Sequence, residues 1–253
     1  MIRLLKSIYR NVRYVIYSLG KQKKCPICDA SFIKFLSAGS KSNALVKYQV
    51  DAAGYRQNVT CLSCESSDRS RLLYLFLTLK HESRLNSSIN LLHIASDTEF
   101  PSFFKNKKNL SYFNGDLDKD LGDLELDVTN LSFESNFFDV IICNHVIEQI
   151  EDELSATKEL FRVLKKDGLA ILQAPISRIR NETYENLNLN TPEQYESAYG
   201  QKDMRRMYGQ DYKKRLELAG FIMHESKPND FLSIELITLH GINPNESIFI
   251  GCK

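Results

Sequence analysis

The sequence predicts an α/β fold: a doubly wound, mostly parallel seven-stranded sheet, preceded by a small four-cysteine ribbon and a basic amphipathic helix. Three observations carry this. From Ile89 onward, short apolar runs alternate with amphipathic stretches; two Cys-x-x-Cys pairs stand at Cys25/Cys28 and Cys61/Cys64; and residues 1–24 hold seven of the 33 Lys and Arg residues but none of the 32 Asp and Glu. Alternating strand and helix patterns imply a parallel sheet with helices on both faces. At 253 residues and 43% apolar content, the chain suffices for one full core and a small appendage. We therefore divide it into an arm (1–24), a ribbon (25–67) and a main domain (68–253) with an insert near 176–200.

The arm reads MIRLLKSIYRNVRYVIYSLG, with Arg3, Lys6, Arg10 and Arg13 on one helical face and Leu4, Leu5, Ile8, Val12, Val15, Ile16 and Leu19 on another. Charges interrupt it every three or four positions, so it lacks the apolar run of about 7–15 residues that an export signal needs. No stretch of about 20 apolar residues follows elsewhere. Such a helix either docks its apolar face on the body or lies, through residues 1–20, on an anionic membrane surface. The expected location is cytoplasmic, with the inner membrane face as the peripheral alternative. Without the arm, the chain is acidic by six charges, so contact with a polyanion would have to be local.

Without an export signal, CPIC and CLSC read as one tetrahedral thiolate site rather than as disulfides. Zinc takes four such ligands, and four cysteines leave no coordination place open for water, which makes the site structural. A redox pair and unrelated thiols are the other readings. The 32-residue spacer, Asp29 to Thr60, must loop out; its LVKYQVDAAGYRQNVTCL stretch alternates around Gly54, as a hairpin would. Cys143 lies in an apolar run and Cys252 near the end of the sequence; both read as packed.

Ser66 or Ser67 caps the helix that opens the main domain. Strands are expected at INLLHIA, LSYFNG, LELDV, FFDVIICN, LAILQAP, FIMHES and ESIFIG. The clearest helices are EDELSATKELFRVLKK, stopped by Gly168, and GQDYKKRLELAG, stopped by Gly220. The stretch 176–200 is too long for a simple connection and reads as a lid or insert.

In such sheets ligands sit beyond the carboxyl ends of the strands. Polar residues fall there four times: Ala95-Ser96-Asp97, then Asp116 followed by Leu117, then Asp127-Val128, then Asn144-His145. A carboxylate such as Asp116 accepts both hydroxyls of a ribose. Asp127 suits the exocyclic amine of an adenine. Singly, Asp116 reads as a turn former and His145 as a cap; together the four favour an adenosine-containing ligand.

LELDVTNLSFESNFFDVIICNHVIEQIEDELSATKELFRVLKKDGLAILQAPI resembles the central half of class I S-adenosylmethionine-dependent methyltransferases. More narrowly, CPIC, CLSC, SSDRSR, LLHIASD, HVIEQI and GQKDMRRMYGQDY are similar, in order, to the motifs of a bacterial family of zinc-ribbon methyltransferases. The resemblance runs from about Cys25 to the end. It implies a Rossmann-like methyltransferase fold, S-adenosyl-L-methionine as cofactor and a structural zinc. The cofactor shell it implies is Ala95, Ser96, Asp97, Asp116, Leu117, Asp127, Val128, Asn144 and His145. Missing glycines after the first strand do not exclude that cofactor, which has no pyrophosphate to cradle. Two family histidines are replaced here, by Gln149 and Met204.

Methyl transfer needs alignment and exclusion of water, plus a base where the nucleophile carries a proton. His145 is the candidate base. Arg206, Tyr208 and Asp211 fall in the late motif and either bind substrate or anchor the insert. The acidic body favours a small, carbohydrate or lipid-linked acceptor over nucleic acid. A non-catalytic binding protein on the same fold and an RNA methyltransferase are the rival functions.

Overall fold

A computed structural model describes residues 12–97 and 100–253. Arg3, Lys6 and Arg10 of the arm, and Leu4, Leu5 and Ile8 of its apolar face, lie outside the described residues. Of the rest, residues 12–17 are helical (α1), and Val12, Val15, Ile16 and Leu19 are exposed. Tyr17 packs on the ribbon, and its carbonyl accepts the Ile33 amide. No helix among the described residues is long and apolar enough to cross a membrane.

The ribbon holds β1 (Lys23–Lys24) against β2 (Ser31–Phe32), then β3 (Leu36–Ala38), α2 (Asn43–Lys47) and β4 (Arg56–Thr60). The hairpin expected around Gly54 is corrected here. β4 pairs antiparallel with β3, while residues 43–47 ahead of Gly54 form a helix capped by the Ser42 hydroxyl. Tertiary burial decided this. Leu45 is drawn into an apolar cluster with Tyr199, Met204 and Met207, contacts that a strand in that hairpin would forgo.

α3 (Asp68–Lys80) and α4 (Glu82–Leu85) lead into β5 (Ile89–Ile94), followed by α5 (Phe100–Lys105), β6 (Leu110–Asp116), β7 (Leu124–Glu125) and β8 (Phe138–Cys143). Then come α6 (Glu153–Val163), β9 (Leu164–Ile171), α7 (Pro192–Tyr199), α8 (Tyr212–Glu217), β10 (Ile222–Ser226), α9 (Ile234–His240) and β11 (Ile248–Cys252). The seven expected strands form one sheet in the order β10-β11-β9-β8-β5-β6-β7. All pairs are parallel except those of β11, which runs antiparallel between β10 and β9. With one apolar layer on each face, this is the Rossmann-like methyltransferase fold.

The helix expected to run to Gly168 ends earlier, at Val163, because Leu164 already pairs with Phe138 of β8. Leu164 is fully buried, so it joins the sheet rather than extending a half-exposed helix. The insert is ordered. Thr191 and Gln194 close a capping box around Pro192, and Gly200 ends α7 at φ +100°. A side chain at Gly200 would sit 2.3 Å from Leu45 Cγ, so this glycine lets the insert press on α2.

Candidate active site

The strand order reverses at β5, which pairs with β6 on one side and β8 on the other. Connections leave to opposite faces there, and a crevice opens beyond the carboxyl ends. Ala95 closes β5 with φ +50°, a conformation that glycine adopts freely and alanine only at a cost. The Ala95 amide donates to the Gly115 carbonyl at 2.8 Å, and Ser96 Oγ donates to Asn114 Oδ1 at 2.7 Å. The loop without glycines thus makes the turn that glycines would make. His145, two residues past β8, also lies in the left-handed region (φ +58°), its amide donating to the Gln173 carbonyl. Asn144 binds Gln173 twice, through its amide group and its carbonyl oxygen.

Between these strand ends lies a cavity of about 290 Å³, lined among others by Arg69, Ala95, Asp97, Asn144, His145 and Glu148. Among the described residues, the buried side-chain atoms without a hydrogen-bond partner are Arg69 Nε, both ring nitrogens of His145, Glu148 Oε2 and Glu246 Oε2. All but the last belong to residues lining this cavity. Orphaned polar atoms gathered at one cavity are what a ligand site looks like without its ligand. His145 Nδ1 stands 3.6 Å from Glu148 Oε1, longer than a hydrogen bond. Burial, then the Arg69 and Arg56 cations, holds His145 well below the usual imidazole range. Burial also pushes the Glu148 carboxyl up to about 8. Near neutral pH the pair is a neutral imidazole beside a protonated acid, so one imidazole nitrogen is free to accept a hydrogen bond.

Of four consecutive polar residues at the start of α3, Arg69 and Ser70 line this cavity, and Asp68 and Arg71 tie the helix to the ribbon. Asp68 receives Arg56 bidentately at 2.9 and 3.0 Å. Arg69 faces the cavity, and Ser70 Oγ donates to Asp97 Oδ2 at 2.6 Å. Arg71, fully buried, donates to five backbone carbonyls: Asn58, Val59, Ser66, His240 and Gly241. The sequence matched SSDRSR to a motif but assigned it no role. The chemistry of Arg69 and Glu148 was missed because only the folded chain brings them to the strand ends.

The remaining candidates lie elsewhere. Asp116 closes β6, half-buried, and its Oδ1 accepts the Asp118 amide. Leu117 is 72% exposed beside it. Asp127 is exposed and accepts from the Thr129 amide and hydroxyl, while Val128 is buried in the core. None of these four lines the 290 Å³ cavity. Arg206 and Tyr208 are fully buried and line none of the cavities described here. Arg206 binds Glu185 of the insert and the carbonyls of Ile147, Ile150 and Glu151; Tyr208 donates to Glu153 Oε1 at 3.0 Å. Asp211 accepts the Thr183 hydroxyl. These contacts anchor the insert to the loop after β8. Met204 is buried in the apolar cluster with Leu45, whereas Gln149 lines the cavity.

The sulfur atoms of Cys25, Cys28, Cys61 and Cys64 lie within 4.8 Å of one another, with Cys25–Cys64 and Cys28–Cys61 both at 3.7 Å. Zinc–thiolate bonds of about 2.3 Å give a tetrahedron edge of about 3.8 Å, so the four fit a zinc ion.

Residues 105–172 match a family described as a methyltransferase domain, which agrees with the class I resemblance. No curated protein matches the sequence. Among solved structures, a SAM-dependent methyltransferase from Archaeoglobus fulgidus is 13% identical, covering 75% of this chain and 96% of its own, at a TM-score of 0.48. A Haemonchus contortus phosphoethanolamine N-methyltransferase 2, in complex with S-adenosyl-L-methionine, is 13% identical, covering 77% and 54%, at 0.49. A Bacillus halodurans protein described as a methyltransferase is 17% identical, covering 71% and 93%, at 0.41.

Proposed function

We propose that this chain is an S-adenosylmethionine-dependent methyltransferase acting on a small, carbohydrate or lipid-linked acceptor. The observation that supports it most is the strand-end cavity ringed by unpartnered Arg69, His145 and Glu148 atoms. Its donors and acceptors suit the methionyl half of the cofactor: Arg69 for the carboxylate, Asp97 for the amino group. Asp116 and Leu117, beyond it, suit the ribose and a flat base, and Asp127 the adenine amine. Ala95, Ser96 and Asn144 bring backbone and small side chains close to the ligand, and Val128 backs the adenine end from the core.

The bound cofactor supplies an activated methyl group on a sulfonium. The residues of the chain then have three tasks. Ala95 to Asp97 and Arg69 fix the donor, Arg206 holds the loop after β8 that carries Glu148 and Gln149 into the cavity wall, and His145 takes the proton that the nucleophile loses. The acceptor proton passes to an imidazole nitrogen.

Calorimetric titration of S-adenosylmethionine and S-adenosylhomocysteine into zinc-loaded protein tests this. We expect micromolar binding of both. Absence of binding by folded protein would remove the cofactor assignment and leave a non-catalytic protein on this fold. Salt-sensitive RNA retention lost on deleting residues 1–24 would instead place the acceptor on RNA.

A further inference from the structure

Gln173 and Pro175 line the first cavity, while the alternate residues Ala174 and Ile176 line a second one of about 510 Å³. The wall between the two is therefore a single strand of backbone. Glu246 and Ser247, which precede β11, complete the far side, and Gln173 reaches toward the Ser247 carbonyl across the gap. We propose that this second cavity is a separate binding site for a neutral, polyhydroxylated, sugar-like ligand, with Glu246 as its central polar contact. The proposal goes beyond the methyltransferase reading and does not depend on which ligand fills the first cavity.

Three features carry it. The Glu246 side chain lines the cavity, is 3% exposed and has an oxygen with no partner. An orphaned buried carboxyl costs stability unless a ligand completes it. Burial pushes that carboxyl up to about 8, so near neutral pH it both donates and accepts, as a hydroxyl partner requires.

Next, most of the charge of the lining is paired, leaving three cations against the two carboxylates of Asp51 and Glu225 when Glu246 is protonated. Arg178 faces Asp51 at 3.4 Å, Lys213 faces Glu225 at 2.9 Å, and Lys227 also acts on Glu225. What remains to face a ligand is largely neutral: the carboxamides of Asn229 and Asn245, Gln210 beside them, and the Glu246 carboxyl. Groups that both donate and accept, in number, match several hydroxyls.

Finally, the cavity does not end there. Asp51, Arg178, Asn229, Pro244 and Asn245 also line a larger groove of about 890 Å³. A ligand of more than one sugar unit would continue into it, over the ribbon spacer.

Saturation-transfer NMR on the full zinc-loaded chain, with S-adenosylhomocysteine present, tests the proposal. The probes are methyl α-glucopyranoside, methyl α-mannopyranoside, N-acetylglucosamine, maltotriose, glucose 6-phosphate and inorganic phosphate. We expect transfer to at least one neutral sugar, weakened about tenfold or more by Glu246→Leu and much less by Glu246→Gln. The affinity for S-adenosylhomocysteine should stay unchanged in both variants. Transfer to phosphate and glucose 6-phosphate alone would overturn the proposal in favour of an anion site. Transfer to none of the probes, with S-adenosylhomocysteine still bound, would overturn it and leave the methyltransferase reading standing. Sugar binding without S-adenosylhomocysteine binding would support the site and sink the donor assignment. A loss of cofactor affinity in Glu246→Leu equal to the loss of sugar affinity would place Glu246 in the donor site.

Discussion

Ala95 and His145 close neighbouring parallel strands in the same left-handed backbone conformation, at φ +50° and +58°, and both line one cavity. Neither is a glycine, so each holds a conformation costing an L-residue roughly 1–2 kcal/mol. Strain of this kind persists where the surroundings over-determine it, and it clusters at ligand sites. Here the Gly115 and Gln173 carbonyls fix the two amides.

Substitution at Ala95 separates strain from ligand contact. Ala95→Gly should shift stability by less than about 1 kcal/mol, since relief of strain is offset by a more flexible unfolded chain. Ala95→Val should cost about 2 kcal/mol or more and lower S-adenosylhomocysteine affinity at least about tenfold. Thermal melts and calorimetry read the two effects; a valine variant with native affinity would remove this turn from the donor site.

Asp116→Ala should lower S-adenosylhomocysteine affinity about 10- to 100-fold, the worth of a charge-assisted bond to a ribose, with little change in unfolding midpoint. Asp127→Ala should cost less, because its carboxylate is exposed and engaged by Thr129. An unchanged dissociation constant for Asp116→Ala would remove the ribose assignment.

The ribbon and the donor site should fail together. Arg71 ties β4 and the second knuckle to α9 through five carbonyls, and Arg69 and Ser70 sit beside it on α3. Elemental analysis should find one zinc per chain. Chelation should lower both the unfolding midpoint and cofactor affinity. Arg71→Leu should destabilise by at least about 3 kcal/mol, since buried carbonyls lose their donor. A chelated chain that binds cofactor as before would show the ribbon to be independent of the site.

Stability should fall as pH rises from about 6.5 to 8. Glu148 and Glu246 have carboxyls raised by burial to about 8, so the folded state binds more protons than the unfolded one above the ordinary carboxylate range. Their contribution is complete at low pH and is lost as pH climbs through 8. His145 acts oppositely: held neutral by burial, it favours the fold above its ordinary range and loses that contribution as pH falls below about 6.5. Glu148→Gln should flatten the alkaline limb in urea melts taken between pH 6.5 and 8. An equally steep limb in that variant would show that Glu148 is not held protonated.

Seven strands, their approximate ends and the four-cysteine site were legible because short apolar runs, buried on both faces in a parallel sheet, and ligand spacing are local signals, written in consecutive residues. The misread pieces were those whose local pattern was ambiguous. LVKYQ alternates like a strand, but Leu45 found a better partner in the insert around Gly200. The helix after Asp152 lost its last residues to β9 because Leu164 gains more from the sheet core than from a helix end.

By itself, the sequence determined the sheet, the ribbon ligands and the strand ends at which a ligand would sit, since each follows from spacing along one chain. Only the tertiary structure decided which groups stand unpartnered around that place. Arg69, Glu148 and Glu246 look like ordinary surface charges in sequence; a buried side-chain atom without a hydrogen-bond partner sets each apart, although Arg69 also donates to the Ala52 carbonyl, and burial is a property of distant segments closing over a site. The same closure gave Arg206 and Tyr208, read in sequence as either substrate ligands or anchors of the insert, the contacts of anchors between the insert, the loop after β8 and α6.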